Sequence, residues 1–276
     1  MPGIGQLAGA VRRHPVLTAT GVAVLCAAGV VALTRGDGGE PSSAGRSESG
    51  GLIDVLRSSV PLPQPDSAPE PPPAPSGPRY RIARVLSGEE VELRDGPDGD
   101  VIERLGDQTE FGSPRYFWIA RTEGDWLGVP AAELPNGRLG WIRDDDEAIR
   151  TLETSYSVIA DISERRLELH YGDRVLERFG VTVGAPGSPT PPGSYAITDG
   201  LAGAEVGTYY GCCILALTGH QPNLPSDWLG GDRIAIHGTP GSIGDAGSGG
   251  CLRASDMDMV SLFARLPLGA PVFIRA

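Results

Sequence analysis

The chain of 276 residues is acidic, with a formal net charge of −12. Binding to nucleic-acid phosphates requires clustered Lys and Arg, so a nucleic-acid partner is excluded. Four cysteines in this length are too few for a disulfide scaffold, and the length suits two small domains behind a separate N-terminal segment.

The N-terminal segment has the pattern of a membrane anchor. Arg12 and Arg13 precede an uncharged run over residues 16–33, which spans about 27 Å as a helix and can cross a bilayer. The two arginines favour a cytoplasmic N-terminus. We therefore predict a cytoplasmic segment 1–15 and a transmembrane signal anchor 16–34, in a single-pass cell-membrane protein with all later residues outside. Cleavage of the run as a signal peptide, giving a secreted protein, is the alternative.

Residues 35–78 are rich in Gly, Ser and Pro, and include the run Pro-Glu-Pro-Pro-Pro-Ala-Pro. Such a composition cannot bury enough apolar surface to fold, and its prolines favour extended polyproline II backbone. We predict a linker that holds the folded part of the chain away from the membrane.

Short β-rich runs separated by turn residues fill residues 79–150. They cover residues 80–85, 91–93, 116–120, 126–129 and 139–142. The segment 124–129 with Gly140-Trp141-Ile142 resembles bacterial SH3-like domains of exported cell-wall proteins. The alternation and turns such as residues 95–99 favour a small antiparallel barrel, and its three tryptophans are expected in the core, with a ligand platform as the alternative. The acidic run 144–147 lacks the alternating ligands of a calcium loop and is interpreted as a solvated boundary.

A second β-rich region covers residues 155–276. Strands are predicted at 157–162, 166–171, 178–184, 193–197 and 270–274. The spacing Ser255-x-x-Asp258 predicts a capping box at the start of a helix over 257–265. Residues 200–231 are long enough to form a lid over a site. His170 and His220 are expected to be surface residues.

A thiol and an imidazole stand in glycine-rich surroundings near the C-terminus, in Ile236-His237-Gly238-Thr239 and Ser248-Gly249-Gly250-Cys251. Cysteine attacks a carbonyl as its thiolate, so acyl transfer needs a nearby histidine to take the proton and N–H groups to receive the oxyanion. The two glycines leave room for a substrate carbonyl. A disulfide from Cys251 to Cys212 or Cys213 is the alternative. A bridge within the adjacent pair is not expected, since it would strain the backbone.

Five segments occur in the order found in L,D-transpeptidase catalytic domains. They are Leu167-x-Leu169, Val181-x-Val183-Gly184, Ser188-Pro189-Thr190-Pro191-Pro192-Gly193-x-Tyr195-x-Ile197, Ile236-His237-Gly238-Thr239 and Ser248-x-Gly250-Cys251-Leu252-Arg253. Each segment alone is weak evidence for this family, but the ordered set of five is specific to it. Residues 155–276 therefore resemble this family, which implies a mostly β, sandwich-like catalytic domain.

The resemblance also implies a reaction. Cys251 would attack the carbonyl of a diaminopimelate residue at the third position of a peptidoglycan stem, and the terminal D-Ala would leave. The acyl group would then pass to the side-chain amine of another stem, forming a 3→3 cross-link. The expected partners are peptidoglycan stem peptides and, through the N-terminal helix, the bacterial membrane. No cofactor and no metal is expected.

The resemblance assigns roles to individual residues. His237 would be the base that activates Cys251, and the Gly238 carbonyl would orient the imidazole. The N–H groups of Gly250 and Cys251 would form the oxyanion hole. Substrate contacts would come from Ser248, Gly249 and Arg253. Arg253 would support the thiolate or a substrate carboxylate, with a salt bridge inside the fold as the alternative.

Gly249 is the one departure from the family pattern. The family commonly has Ser-His-Gly-Cys, whereas Gly249 occupies the position of that second histidine. Since His237 can serve as the base alone, we expect activity with altered pocket contacts. Two alternatives stay open: an L,D-carboxypeptidase that uses water as acceptor, and a catalytically silent peptidoglycan-binding protein.

Overall fold

The computed structural model describes residues 76–144, 147–224 and 231–276. The cytoplasmic segment 1–15, the anchor 16–34 and all but the end of the linker lie outside these residues. Within the described ranges, no helix has both the length and the hydropathy of a membrane span.

The first β-rich region forms two small antiparallel sheets around a core of its own. Its strands are β1 (Tyr80–Val85), β2 (Glu90–Arg94), β3 (Val101–Gly106), β4 (Tyr116–Trp118), β5 (Arg121–Glu123), β6 (Trp126–Val129), β7 (Gly140–Arg143) and β8 (Ile149–Thr154). The sheet orders are β4-β1-β8 and β3-β2-β7-β6-β5. Strand β8 pairs along the whole of β1, so this region continues beyond residue 150.

Apolar side chains explain why this small region folds. Leu93, Leu127 and Ile142 are completely buried between the sheets. Trp126 and Trp141 are also buried, as the sequence predicts for core tryptophans. Burying each large apolar side chain stabilises the fold by about 1.5–3 kcal/mol.

The second region is a larger, mostly β domain with one substantial helix. Its strands are β9 (Tyr156–Asp161), β10 (Arg166–Tyr171), β11 (Arg174–Gly180), β12 (Val183–Gly184), β13 (Gly193–Ala202), β14 (Cys213–His220), β15 (Arg233–Gly238), β16 (Ala246–Ser248), β17 (Leu252–Ala254) and β18 (Pro271–Arg275). Its helices are α1 (Gly203–Val206), a 3₁₀ turn (Thr208–Tyr210) and α2 (Asp256–Arg265).

Eight strands form one sheet in the order β11-β10-β9-β18-β13-β14-β15-β17, and β12 pairs with β16. Helix α2 starts at the predicted capping box, where Ser255 Oγ accepts the Asp258 N–H at 3.2 Å. Its Met259 and Leu262 are fully buried in the domain core. The helix and the sheet therefore enclose one apolar interior.

The prediction of a lid over residues 200–231 is wrong for its central part. Residues 213–220 form β14, a central strand between β13 and β15. Its Leu215, Ala216 and Leu217 are all buried, so the strand has no exposed face and lacks the alternation that identifies a half-buried strand. His220 ends this strand, and Trp228 of the predicted lid lies outside the described residues.

The two β regions contact each other directly. The Trp118 ring packs edge-on against Phe273 of β18, with ring centroids 5.5 Å apart. The Asn136 side chain accepts the His220 N–H at 2.8 Å and donates to the His220 carbonyl at 2.7 Å. The two Asn136 hydrogen bonds fix the loop around residue 136 against the end of β14.

Candidate active site

Cys251 stands at the entrance to strand β17 and is a free thiol. Strand β17 runs parallel to β15, with Arg253 opposite His237 in the register. On its other side, Arg253 exchanges two backbone hydrogen bonds with Thr182, each 2.9 Å long. The segment that follows Cys251 is therefore fixed on both edges, and the predicted alternative of a Cys251 disulfide is not what the structure has.

His237 is a buried imidazole held in one orientation. It is 1% exposed on β15, and its Nδ1 lies 2.6 Å from the Gly238 carbonyl. A carbonyl only accepts hydrogen bonds, so Nδ1 carries the proton and Nε2 is the basic nitrogen. A side chain at Gly238 would overlap the Asp256 carboxylate, which explains the glycine at this position.

Two tyrosines cover the imidazole. Tyr209 and Tyr210, in the 3₁₀ turn, place their ring centroids 5.8 and 4.9 Å from that of His237. The aromatic contacts exclude water from the imidazole and restrict its motion. The part of the predicted lid that precedes β14 therefore does lie over the site.

Cys212 and Cys213 form a disulfide with each other, contrary to the sequence prediction. They join the tyrosine segment to the start of β14, and the Cys212 N–H donates to the Asp256 carboxylate at 3.0 Å. The prediction considered only the strain of an adjacent pair. In the structure this pair stands at the abrupt change from a turn to a strand.

Arg253 lines the same cleft as Cys251. Its guanidinium carbon sits 4.7 Å from the Tyr209 ring centroid, a cation–π contact. Its Nε is buried without a hydrogen-bond partner, and none of the carboxylates in the described ranges forms an ion pair with it. The alternative of a salt bridge within the fold therefore has no support among these residues, and the cation is available to a carboxylate ligand.

Ser248 holds the turn that carries Cys251. Its hydroxyl donates to the Cys251 carbonyl at 2.6 Å and accepts the Gly250 N–H at 3.0 Å. The Gly250 N–H, expected as an oxyanion donor, is therefore already engaged. Of the two N–H groups expected to form an oxyanion hole, the Cys251 N–H remains for that role. Gly249 is half-buried and adds only backbone to the cleft.

Burial shifts the pKa values of His237 and Cys251. It lowers the pKa of His237, although the Gly238 carbonyl opposes the shift. It raises the pKa of the Cys251 thiol, although a backbone hydrogen bond with Ala235 opposes the shift. Both shifts favour uncharged forms, since a low-dielectric surrounding penalises charge. The resting pair is therefore a thiol and a neutral imidazole.

One cleft collects most of the residues singled out from the sequence. Its walls include His237, Gly249, Cys251, Arg253, Tyr209, Tyr210 and Gln221. Ser248, Gly238 and Gly250 lie behind this surface, where they hold its backbone. In the described part of the chain, no three His, Cys, Asp or Glu side chains converge as metal ligands, and Asp145 and Asp146 lie outside it.

The two other histidines of the described residues serve other contacts. His170 is partly buried and bonded to Glu168 at 2.9 Å. His220 is also partly buried, 3.0 Å from Asp232 and 2.6 Å from the Ala132 carbonyl. Neither lines the cleft that contains Cys251.

The sequence predictions do not include Gln221, and they cover the two tyrosines only as part of the predicted lid over residues 200–231. Gln221 is 4% exposed and belongs to no recognisable motif. Its partners lie about thirty residues away in either direction, so no local pattern could reveal them.

Comparison with known proteins agrees with the sequence resemblance. Residues 155–274 match the family model of YkuD, the L,D-transpeptidase catalytic domain. Two curated relatives described as L,D-transpeptidase YkuD, from Bacillus licheniformis and Bacillus subtilis, are each 29% identical over 123 residues. Each match covers 43% of this chain and 65% of the relative. The chain thus spans less than two thirds of these relatives.

Matches to solved structures are weak in both sequence identity and TM-score. An L,D-transpeptidase from Mycobacterium smegmatis is 16% identical with a TM-score of 0.37, covering 57% of this chain and 81% of that one. L,D-transpeptidase 1 of Mycobacterium tuberculosis is 18% identical with a TM-score of 0.33. That match covers 49% of this chain and 77% of the other chain.

Proposed function

Because residues 155–274 match the family model of the L,D-transpeptidase catalytic domain, we propose that this protein is a cysteine acyltransferase acting on peptidoglycan stem peptides. The observation that carries the proposal is the cleft shared by the free thiol of Cys251 and the oriented, neutral imidazole of His237. Nucleophilic acyl transfer needs this pair, with the base in turn oriented by a third group.

The reaction starts with attack of Cys251 Sγ on the carbonyl of the third stem residue. The thiol proton passes to His237 Nε2 as the carbon–sulfur bond forms, and the oxyanion is received by the Cys251 N–H. Collapse breaks the bond to the terminal D-Ala, and the imidazolium gives its proton to the leaving amine. A thioester on Cys251 results.

The second half of the reaction regenerates the Cys251 thiol. An amine of another stem attacks the thioester, His237 takes a proton from it, and the thiolate leaves and is reprotonated. The product is an amide that joins two stems through their third residues. Arg253, whose guanidinium lines the cleft and has no ion-pair partner among the described residues, would bind a carboxylate of a stem.

We further propose that the first β region is an SH3-like module and that the chain is exported on its N-terminal anchor. The two small antiparallel sheets around a separate core support the first point. The uncharged run after Arg12 and Arg13 supports the second. Both would place the reaction at the cell wall.

Defined stem peptides test the proposed reaction. Full-length protein incubated with a tetrapeptide stem is expected to release D-Ala and to form a dimer of stems that mass spectrometry detects. Release of D-Ala with a free tripeptide as the main product would identify the carboxypeptidase alternative. Binding to purified wall with no change in any stem, with or without an added amine, would identify the silent binding protein and contradict the proposal.

The pKa shifts predict the pH dependence of acylation. Burial lowers the pKa of His237, so the imidazole stays deprotonated and active below the usual value of about 6.5. The rate constant for acylation by imipenem should be level from about pH 6.5 to 8.5 and should fall only at lower pH. Stopped-flow absorbance measures it. A rate constant already halved at pH 7.5 would contradict a lowered pKa, and one unchanged at pH 4 would indicate a preformed thiolate–imidazolium pair.

A further inference from the structure

Gln221 makes a cluster of hydrogen bonds next to the nucleophile. The two N–H bonds of its Nε2 are shared among three carbonyl oxygens, those of Ser188 at 3.2 Å, Pro189 at 2.9 Å and Gly249 at 3.2 Å. Its Oε1 accepts the Asn223 N–H at 3.0 Å. Carbonyls only accept, and this N–H only donates, so the orientation of the buried amide is determined. The side chain ties two loops to the Cys251 turn.

The peptide between Gly249 and Gly250 is fixed from both sides. In a trans peptide the C=O and N–H groups point in opposite directions. The Gly249 carbonyl points to Gln221, and the Gly250 N–H points to the Ser248 hydroxyl at 3.0 Å. That hydroxyl also donates to the Cys251 carbonyl. Rotation of this peptide would break both contacts and move the nucleophile backbone.

Gly250 shows that the turn is built around Gln221. Its φ is +120°, a conformation that L residues rarely adopt, and a Cβ at this position would overlap Gln221 Nε2. Gly249 has no side chain with which to bond its own surroundings. The contacts that orient the turn therefore come from Ser248 inside it and Gln221 outside it.

We propose that Gln221 is a positioning residue, which sets the geometry of Cys251 by holding the Gly249–Gly250 peptide. It acts through the backbone of the turn and takes no proton in the reaction. The inference rests on the proposed function for the consequence in catalysis, but the geometric part stands independently. Misplacing a reacting atom by about 1 Å costs about 100-fold in rate, so loss of this contact should be visible in acylation.

The test compares two variants of the full-length chain. Gln221→Met keeps an unbranched side chain of similar length but removes the donors. Tyr195→Phe is the matched control. Tyr195 is also buried, and its hydroxyl bonds the carbonyls of Pro191 and Pro192, in the loop that Gln221 also contacts. Unlike Gln221, the control does not reach the Cys251 turn, so it measures the effect of loosening that loop alone.

Two readouts distinguish the possible failures. Amide hydrogen exchange at Gly250 should accelerate at least about tenfold in Gln221→Met and stay unchanged in Tyr195→Phe, because only the former frees the Gly249–Gly250 peptide. Imipenem acylation should slow by about 10- to 100-fold in Gln221→Met alone. Unchanged Gly250 exchange, or equal effects of the two variants, would overturn the inference. If the native chain is acylated and Gln221→Met is acylated equally fast, the inference would be overturned too. If the native chain itself is not acylated, the proposed function fails, and Gly250 exchange still decides the positioning role.

Discussion

His237→Gln should slow acylation of the protein by imipenem about 1,000-fold, because the proposed general base is lost while the fold is kept. Glutamine can still donate to the Gly238 carbonyl, which lies 2.6 Å from Nδ1 in the native chain. Its amide oxygen is a far weaker base than Nε2. The thiol, whose pKa burial raises, would then have no group to receive its proton at neutral pH.

The rate of imipenem acylation measures this loss, and the melting temperature checks that the variant is folded. His170→Gln is the control, since His170 is also a strand histidine, but it is only partly buried and bonds Glu168 away from the cleft. The control should keep the native rate. A His237→Gln chain that reacts within about threefold of native would show that another group takes the proton.

Cys251→Ala should remove acyl transfer altogether, a loss of about 10⁶-fold on the scale found when the nucleophile of an acyl-transfer enzyme is deleted. Cys251 is the free cysteine among the described residues, and Cys212 and Cys213 are bonded to each other. Binding to purified peptidoglycan should survive, because the substitution removes one small side chain from the cleft wall and leaves Arg253 in place.

The product assay with a tetrapeptide stem checks this expectation. Cys26→Ala serves as the control, because Cys26 is the remaining cysteine of the sequence and lies in the N-terminal segment, so its removal should leave product formation unchanged. Residual product from Cys251→Ala at more than about 1% of the native rate would assign the nucleophile to a different residue.

Local patterns predicted the elements that have one buried face or a distinct start. Strand β10 occupies the predicted residues 166–171, since Leu167 and Leu169 are buried while their neighbours are not. Helix α2 begins where the Ser255 side chain satisfies a first-turn N–H. In both cases the signal lies within a few residues of the element, so the chain alone is sufficient to find it.

Elements without a local signal were missed or misread. Strand β14 is buried on both faces, which removes the alternation that reveals β10. Strands β3 and β5 are mostly exposed, and their residues have no marked β pattern. Pairing with β2 and β6 creates them, and such pairing depends on residues distant in the sequence.

The residues of the candidate site also differ in whether a sequence pattern reveals them. Motif residues such as His237, Cys251 and Arg253 could be named because their chemistry and order are visible in the sequence. Gln221 could not, since its role depends on where three backbone carbonyls meet. The engagement of the Gly250 N–H by Ser248 likewise emerges only from the turn geometry.

The intact mass of the protein during reaction with a tetrapeptide stem tests the central claim most directly. Full-length native chain should gain the mass of the stem less its terminal D-Ala, with the added group located on Cys251 by fragmentation, and Cys251→Ala should gain nothing. Stem turnover with no covalent adduct on the native chain, or an equal adduct on Cys251→Ala, would contradict a thioester at Cys251.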